Sequence, residues 1–275
     1  MFRIDTAGAL ASLPTVQPLG SLSGYFTAGN PGAGQPATIV SADWLNAVQE
    51  ELMAIIAAAG IAPDKTNPNQ VIAALRSLFR GSAMQVFTSS GTFTVPAGVT
   101  KVRSTVVGAG SGANGCNASQ AAGANGGGGG WSIGTFSVTP GQSIPVTVGL
   151  GGAGSVAGVT SGAGGTSSFG SFNSATGGQS AANSNAFNGG APGTGTGGQI
   201  NGSGSYGSDG SPTATGAYWP GLSGGSLFGG AARSGISGGF AGQAPGAGGS
   251  SPYWPTSAVT VSGAAGANGI VILEF

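Results

Sequence analysis

The chain has 275 residues, 59 of them glycine and 5% of them charged, where an ordinary soluble domain carries about 7% glycine and about 25% charged residues. Seven basic residues balance seven acidic ones and no basic cluster stands out, so nucleic acid and an anionic membrane surface are excluded as partners. The absence of histidine removes the commonest general base and metal ligand, and a single cysteine, Cys116, rules out a disulfide-stapled scaffold.

Residues 1–20 carry Asp5, Gly8, Pro14 and Pro18 and no apolar core behind a basic head, so no secretory leader is expected. No apolar run reaches the ~18 residues of a membrane span. The expectation is a protein assembled in a cytoplasm, not inserted in a membrane, and carried outward, if at all, by a particle such as a virion. Residues 1–40 read as an extended attachment segment, because Pro14, Pro18 and Pro31 turn the preceding residues away from helix.

Residues 41–83 predict a helical hairpin. Ser41 is a good N-cap with Asp43 in the first turn. Leu45, Val48, Leu52, Ile55 and Ala59 then recur at three- and four-residue steps until Gly60 and Pro63 stop the helix. A second helix opens on Asn67-Pro68-Asn69-Gln70, with Gln70 at a capping position and Val71, Ile72, Leu75, Leu78 and Phe79 as its stripe. Two short helices bury little alone. Trp44, Leu45, Val48, Leu52 and Ile55 are therefore candidate oligomerisation or attachment residues, unless the pair packs on the rest of this chain.

Composition changes near residue 84. Eight of the 59 glycines precede it, and between Arg103 and Glu274 only Asp209 and Arg233 are charged. Short strands are expected at 84–88 and 92–95, around Ser89-Ser90-Gly91, and a longer one at 101–107. A strand at 131–139 should turn at Pro140-Gly141 and return over 143–149, and a last strand should fill 270–275. Trp131 is read as core and Cys116 as a small residue in a Gly/Ala loop. The predicted fold class is α+β in several parts: the helical hairpin, then a small β-sandwich or sheet carrying a glycine-rich excursion over 150–268. Irregular glycine spacing rejects collagen. Three possibilities stay open for the excursion: disorder, ordered irregular loops, or packed polyglycine helices of the polyproline II type bonded to one another through their backbones.

Residues 42–51 (ADWLNAVQEE), followed by Pro63-Asp64-Lys65, resemble the helical module of phage tail-fibre proteins. The segment 87–100 (FTSSGTFTVPAGVT), with Val138-Thr139-Pro140-Gly141-Gln142, residues 164–170 and the closing 268–275, resembles glycine-rich phage tail-fibre domains. More distantly the chain resembles tip adhesins of T-even-like phages, but it departs from them by carrying its own helical module. The resemblance implies an N-terminal part attached to other tail proteins, a glycine-rich end facing the host, a homotrimer, and a place in the virion tail. The partner it implies is a bacterial surface receptor, saccharide or outer-membrane protein.

Two clusters, Tyr218-Trp219-Pro220 and Tyr253-Trp254-Pro255, offer aromatic contact area. Tyr218, Trp219, Tyr253 and Trp254 are the leading receptor-binding candidates, with Tyr206, Phe228 and Phe240 behind them. Both clusters could instead seal glycine helices. No cofactor is implied. The sequence does not read as an enzyme, since a paired-carboxylate site needs two neighbouring acids and residues 126–130 lack a phosphate-loop signature. The rival to receptor binding is a structural tail or baseplate component without host contact.

Overall fold

The computed structural model describes residues 2–18, 24–78, 83–117, 120–181, 187–212, 221–253 and 260–275. It divides into two compact units, Met1–Gly81 and Ser82–Phe275.

In the first unit, α1 (Ala42–Ala58) packs on α2 (Gln70–Leu78). Ser41 caps α1 by accepting the Trp44 N–H at 3.2 Å. Gly60, at φ +67°, carries the chain out of the helix. Met53 and Ile56 of α1 and Ala74 of α2 are the buried apolar residues of the pair. The expected stripe is therefore only partly inside. Leu52 and Ile55 are half-buried, while Trp44, Leu45 and Val48 are exposed. On α2, Ile72 and Leu78 are exposed as well, and Phe79 lies outside the described residues. Gln70 is buried and ties down the interhelical loop: its Nε2 donates to the Ala62 carbonyl at 2.7 Å and its Oε1 accepts the Asp64 N–H at 2.9 Å.

Residues 2–18 run as a strap with every residue exposed. Polar ties hold it to the helices. Arg3 grips Glu50 through two bonds of 2.6 and 2.7 Å, Lys65 pairs with Asp5 at 2.6 Å, and the Ile4 N–H donates to Gln49 at 2.8 Å. The bond from Lys65 lowers the Asp5 carboxyl below its ordinary value, and the bond from Arg3 does the same to Glu50. Residues 24–40 form a small reversal in which Asn30 pairs with Gln35 and the Thr38 N–H reaches the Thr27 carbonyl.

The second unit holds a sandwich of two antiparallel sheets. One contains β1 (Met84–Phe87), β3 (Lys101–Val107), β5 (Trp131–Ser137), β10 (Ile200–Gly202) and β12 (Ile270–Glu274), in the order β1-β12-β3-β5-β10. The other contains β2 (Gly91–Thr94), β6 (Ser143–Thr147), β7 (Ser167–Phe169), β8 (Asn173–Ala175) and β9 (Gly195–Thr196), in that order. A further two-stranded ladder joins β4 (Gln120–Ala122) to β11 (Ser211–Pro212). Alternating residues fill the space between the sheets: Val102 and Val106 of β3 and Val271 and Leu273 of β12 meet Phe93, Ile144, Val146 and Phe169, as a two-residue period requires. Phe93 lies edge-on to Phe169, and Phe169 stacks on Phe172.

Two expectations are corrected here. The Pro140-Gly141 turn does not close a hairpin, because β5 pairs with β3 while β6 pairs with β2 in the opposite sheet; the turn passes the chain across the core. Trp131 is half-buried and not core. Its indole lies where a side chain at Gly202 would stand.

The glycine-rich part is not one excursion beginning at residue 150. Its centre is formed by 108–116 and 123–130, two segments outside any strand that are buried throughout. Their N–H groups follow a three-residue rotation. Gly108, Ser111 and Asn114 donate to Gly130, Gly127 and Ala124; Ala109 and Gly112 donate to Gly165 and Gly162; Gly110, Ala113 and Cys116 donate to Ala267, Ala264 and Val261. The second segment repeats the pattern, with Gly123, Gly126 and Gly129 donating to Pro252, Gly249 and Gly246, and Asn125 and Gly128 to Ser208 and Ser205. The five glycines at 126–130 are thereby explained. A Cβ at Gly126, Gly127, Gly128 or Gly129 would overlap a backbone carbonyl of a neighbouring segment, and one at Gly130 would overlap the backbone of Thr194.

Candidate functional site

The central segments leave the sandwich at Val107 and Trp131 and are tied together again at their far ends. The run 108–116 leads the backbone away from β3 toward that end. Cys116 pairs there with Val261, Ala122 with both Tyr253 and Ser211, and the Gly210 N–H reaches the Phe187 carbonyl. Cys116 is a buried free thiol whose pKa burial raises, as expected of an unreactive small residue.

At this far end residues 233–240 and Tyr253 frame an open depression of about 430 Å³ lined by Arg233, Ile236, Ser237, Phe240 and Tyr253 with glycines between them. Local geometry places each side chain. Ala232 and Ser234 are buried, and the Ser234 N–H bonds to the Gly221 carbonyl at 2.9 Å while Arg233 pairs with Leu222. Strand-like alternation therefore turns the Arg233 side chain outward. Its Cζ stands 5.2 Å from the centre of the Phe240 ring, within range of a cation–π contact. Phe240 is fixed by reciprocal bonds with Ser250: its N–H donates to Ser250 Oγ at 2.8 Å, and its carbonyl accepts the Ser250 N–H at 2.9 Å. Tyr253 is held by its N–H on the Gly235 carbonyl at 2.8 Å, with the Gly235 N–H on Ser251 at 3.2 Å. Behind the depression, buried Asn125 accepts the Ser251 N–H at 2.9 Å and the Ser234 hydroxyl at 3.3 Å through one oxygen.

The aromatic candidates separate under this geometry. Tyr253 and Phe240 share the depression. Tyr206 is 72% exposed on the flank of the bundle, between a bond from Ser205 to Gly225 and one from Gly207 to Gly190. Phe228 belongs to the opposite end: it sits on the tight turn closed by Ser226 and Gly229, and Ser226 bonds to Pro245 beside Val107 of β3. Tyr218, Trp219 and Trp254 lie outside the described residues. Residue types alone did not single out Arg233 or Ile236, although a single cation between Arg103 and Glu274 was a signal available in the sequence. Among the described residues no group of three or more Asp, Glu, Cys or His side chains is placed to hold a metal ion, and no helix is long and apolar enough to cross a membrane.

The family described as "Glycine-rich domain" matches residues 88–275, the whole sandwich and bundle from β2 onward. This chain belongs to that family. Among curated relatives, the chain is 37% identical over 78 residues to "Uncharacterized protein StfP" of Escherichia coli (strain K12), a match covering 28% of this chain and 35% of that protein. It is 35% identical over 81 residues to the "Mu-like prophage FluMu defective tail fiber protein" of Haemophilus influenzae, covering 30% of this chain and 13% of that protein. The chain thus spans about a third or less of the length of these relatives. The resemblance of this glycine-rich family member to phage tail-fibre proteins is borne out by them.

Proposed function

We propose that this chain is a phage tail-fibre protein that adheres to the host surface through the far end of its glycine-rich unit, and that it acts by binding and not by catalysis. The observation that carries the reading is the gathering of Arg233, Ile236, Phe240 and Tyr253 into one depression at the level of Ala122 and Asn125, remote from the sheets. Loops displayed on a rigid frame are where binding residues concentrate. The tail-fibre relative supports the virion setting. A glycosidase-like use of acids finds no support in the site, because Asp209 accepts the Gly189 N–H at 2.8 Å and Glu274 is engaged by Arg103 at 2.9 Å.

We further propose that the bundle consists of polyglycine helices of the polyproline II type. The three-residue rotation of N–H donors supports this. Amide exchange of 108–116 and 123–130 would then be as slow as that of β3, whereas exchange within seconds would reject an ordered bundle.

The first unit serves attachment in this reading. Trp44, Leu45 and Val48, with Phe26 edge-on to Trp44 at 5.1 Å, leave an exposed apolar face suited to other tail proteins or to further copies of the chain, a homotrimer being the expected assembly. Leu52 and Ile55 are half-buried on the same helix and contribute less of this face.

Labelled full-length chain is mixed with a panel of intact bacteria and staining is followed with concentration. Saturable staining of some strains is expected. Absence of staining from every strain, the known host of the parent phage included, would overturn host adhesion in favour of a structural tail component.

A further inference from the structure

We propose that the far-end depression binds an acidic group, a carboxylate or phosphate carried on a surface saccharide, with Arg233 as its recognition residue. This inference rests on the adhesion reading above and names the ligand chemistry of that site.

Unit Ser82–Phe275 contains two acids and three cations. Arg103 is paired with Glu274 across adjacent strands, and Asp209 is taken by the Gly189 N–H. Among the described residues, no ion pair of Arg233 with a carboxylate is formed. Its positive charge stands on a glycine-rich body with almost no counter-charge, so its field at that end is uncompensated and attracts anions. Lys101 is also exposed, but it stands on the outer face of β3, beside the Arg103–Glu274 pair and remote from the far end.

The second element is preorganisation. Arg233 is an exposed, long side chain, which would ordinarily lose considerable rotamer freedom on binding. Here the Phe240 ring lies under its guanidinium, and the backbone on either side is fixed by buried Ala232 and Ser234. A planar fork held over a ring keeps its N–H edges for a carboxylate or phosphate, which it can meet with two parallel bonds. Ordering is largely done before the ligand arrives, and this lowers the cost of binding.

The third element is the apolar wall. Phe240 and Tyr253 flank the cation, with Ile236 52% exposed beside them. An aromatic face and an aliphatic side chain complement the C–H face of a sugar ring, while the Tyr hydroxyl meets its hydroxyls. Cation and apolar wall together fit a charged sugar. A neutral sugar would use the rings and leave Arg233 without a partner.

The test uses the full chain, immobilised, with polygalacturonate as the carboxylate probe, phosphomannan as the phosphate probe and neutral dextran as control. At low salt at least one acidic probe is expected to bind at least tenfold more tightly than dextran, and to weaken at least tenfold between 20 and 300 mM NaCl through screening. Arg233→Met should remove the preference, and Arg233→Lys should keep part of it; both variants should melt like the native chain because Arg233 is exposed. The probe that binds distinguishes a uronic acid from a phosphorylated sugar. Equal binding of acidic and neutral probes, or acidic-probe binding unchanged in Arg233→Met, would overturn the inference. Staining of cells that Arg233→Met leaves unchanged also overturns it while adhesion itself stands. If no strain is stained but acidic probes are retained and lost with Arg233→Met, the anion site stands and adhesion falls.

Discussion

The sandwich and the bundle of the second unit are folded by different means. Between the sheets, Phe93, Phe169, Ile144 and Leu273 are almost wholly removed from water, and burial of such side chains contributes roughly 1.5–3 kcal/mol each. In the bundle the interior is backbone. Residues 108–116 and 123–130 are buried with little side chain to bury, and glycine loses more conformational freedom on ordering than any other residue. What holds them is a dense lattice of N–H to carbonyl bonds between segments and the close dispersion contact that absence of Cβ permits. The contrast shows that burial alone does not identify a core: one region tolerates volume changes poorly because cavities are costly, the other because no volume exists to give.

That contrast can be broken or sharpened by substitution, each read as unfolding free energy of the full chain in urea. The largest effect is expected at Gly110, where a Cβ would overlap the Ala247 carbonyl. Gly110→Ala should cost about 3 kcal/mol or more, by overpacking a site whose neighbours are backbone and cannot rotate away; a neutral result would mean the bundle is looser than its hydrogen bonds imply. Leu273→Ala in the sandwich, at 0% exposure, should cost about 3 kcal/mol through lost burial and a cavity. A smaller loss than at Gly110 would rank backbone fit above side-chain packing.

Asn125→Ala should cost about 2 kcal/mol by leaving the buried Ser251 N–H without its acceptor, and should loosen Tyr253 in the process, visible as faster amide exchange at Gly235. Gly238→Ala lies at the other extreme. No atom stands within 4 Å of its would-be Cβ, so the change should stay within about 0.5 kcal/mol. A large loss there would contradict the distinction between bundle interior and loop glycine.

The smallest effect belongs to the first unit, where residues 2–18 are held with neither kind of interior. The Asp5 and Glu50 carboxyls are lowered from ordinary values of 3.8 and 4.5 by their bonds to Lys65 and Arg3. A depressed folded-state pKa means that the ties are fully present above the ordinary carboxylate range and are lost as pH falls through the lowered values. Proteolysis of the strap should therefore accelerate in strong acid and in high salt, while melting of the second unit is unchanged by salt. Strap cleavage equal at neutral pH and in acid would show that these pairs do not hold it.

The strands at 84–87, 101–107 and 270–274 were legible because alternating apolar residues have a local period, and Ser41 and Gly60 marked the first helix by chemistry that acts within one turn. The mistakes arose where pairing is non-local. Nothing within Pro140-Gly141-Gln142 tells a hairpin turn from a crossing between sheets; that depends on β2 offering an edge to β6. The α1 stripe was readable as amphipathic, but it is Met53 and Ile56 that are buried, and which of the neighbouring lines goes inward depends on packing against another helix, not on the local period.

At the site, aromatic residue types were visible as contact material, and their grouping was not. Tyr253 and Phe240 share a depression while Phe228 is turned to the opposite end, because backbone bonds that carry no residue identity set 235–240 against 250–253. By itself the sequence determined that the second half could have little side-chain core, almost no charge, and a backbone free to pack closely. Only the tertiary structure decided which carbonyl each N–H would meet, and hence that the single cation of that region would stand over a ring at the far end, since a glycine's partner is specified by the space that every other segment leaves for it.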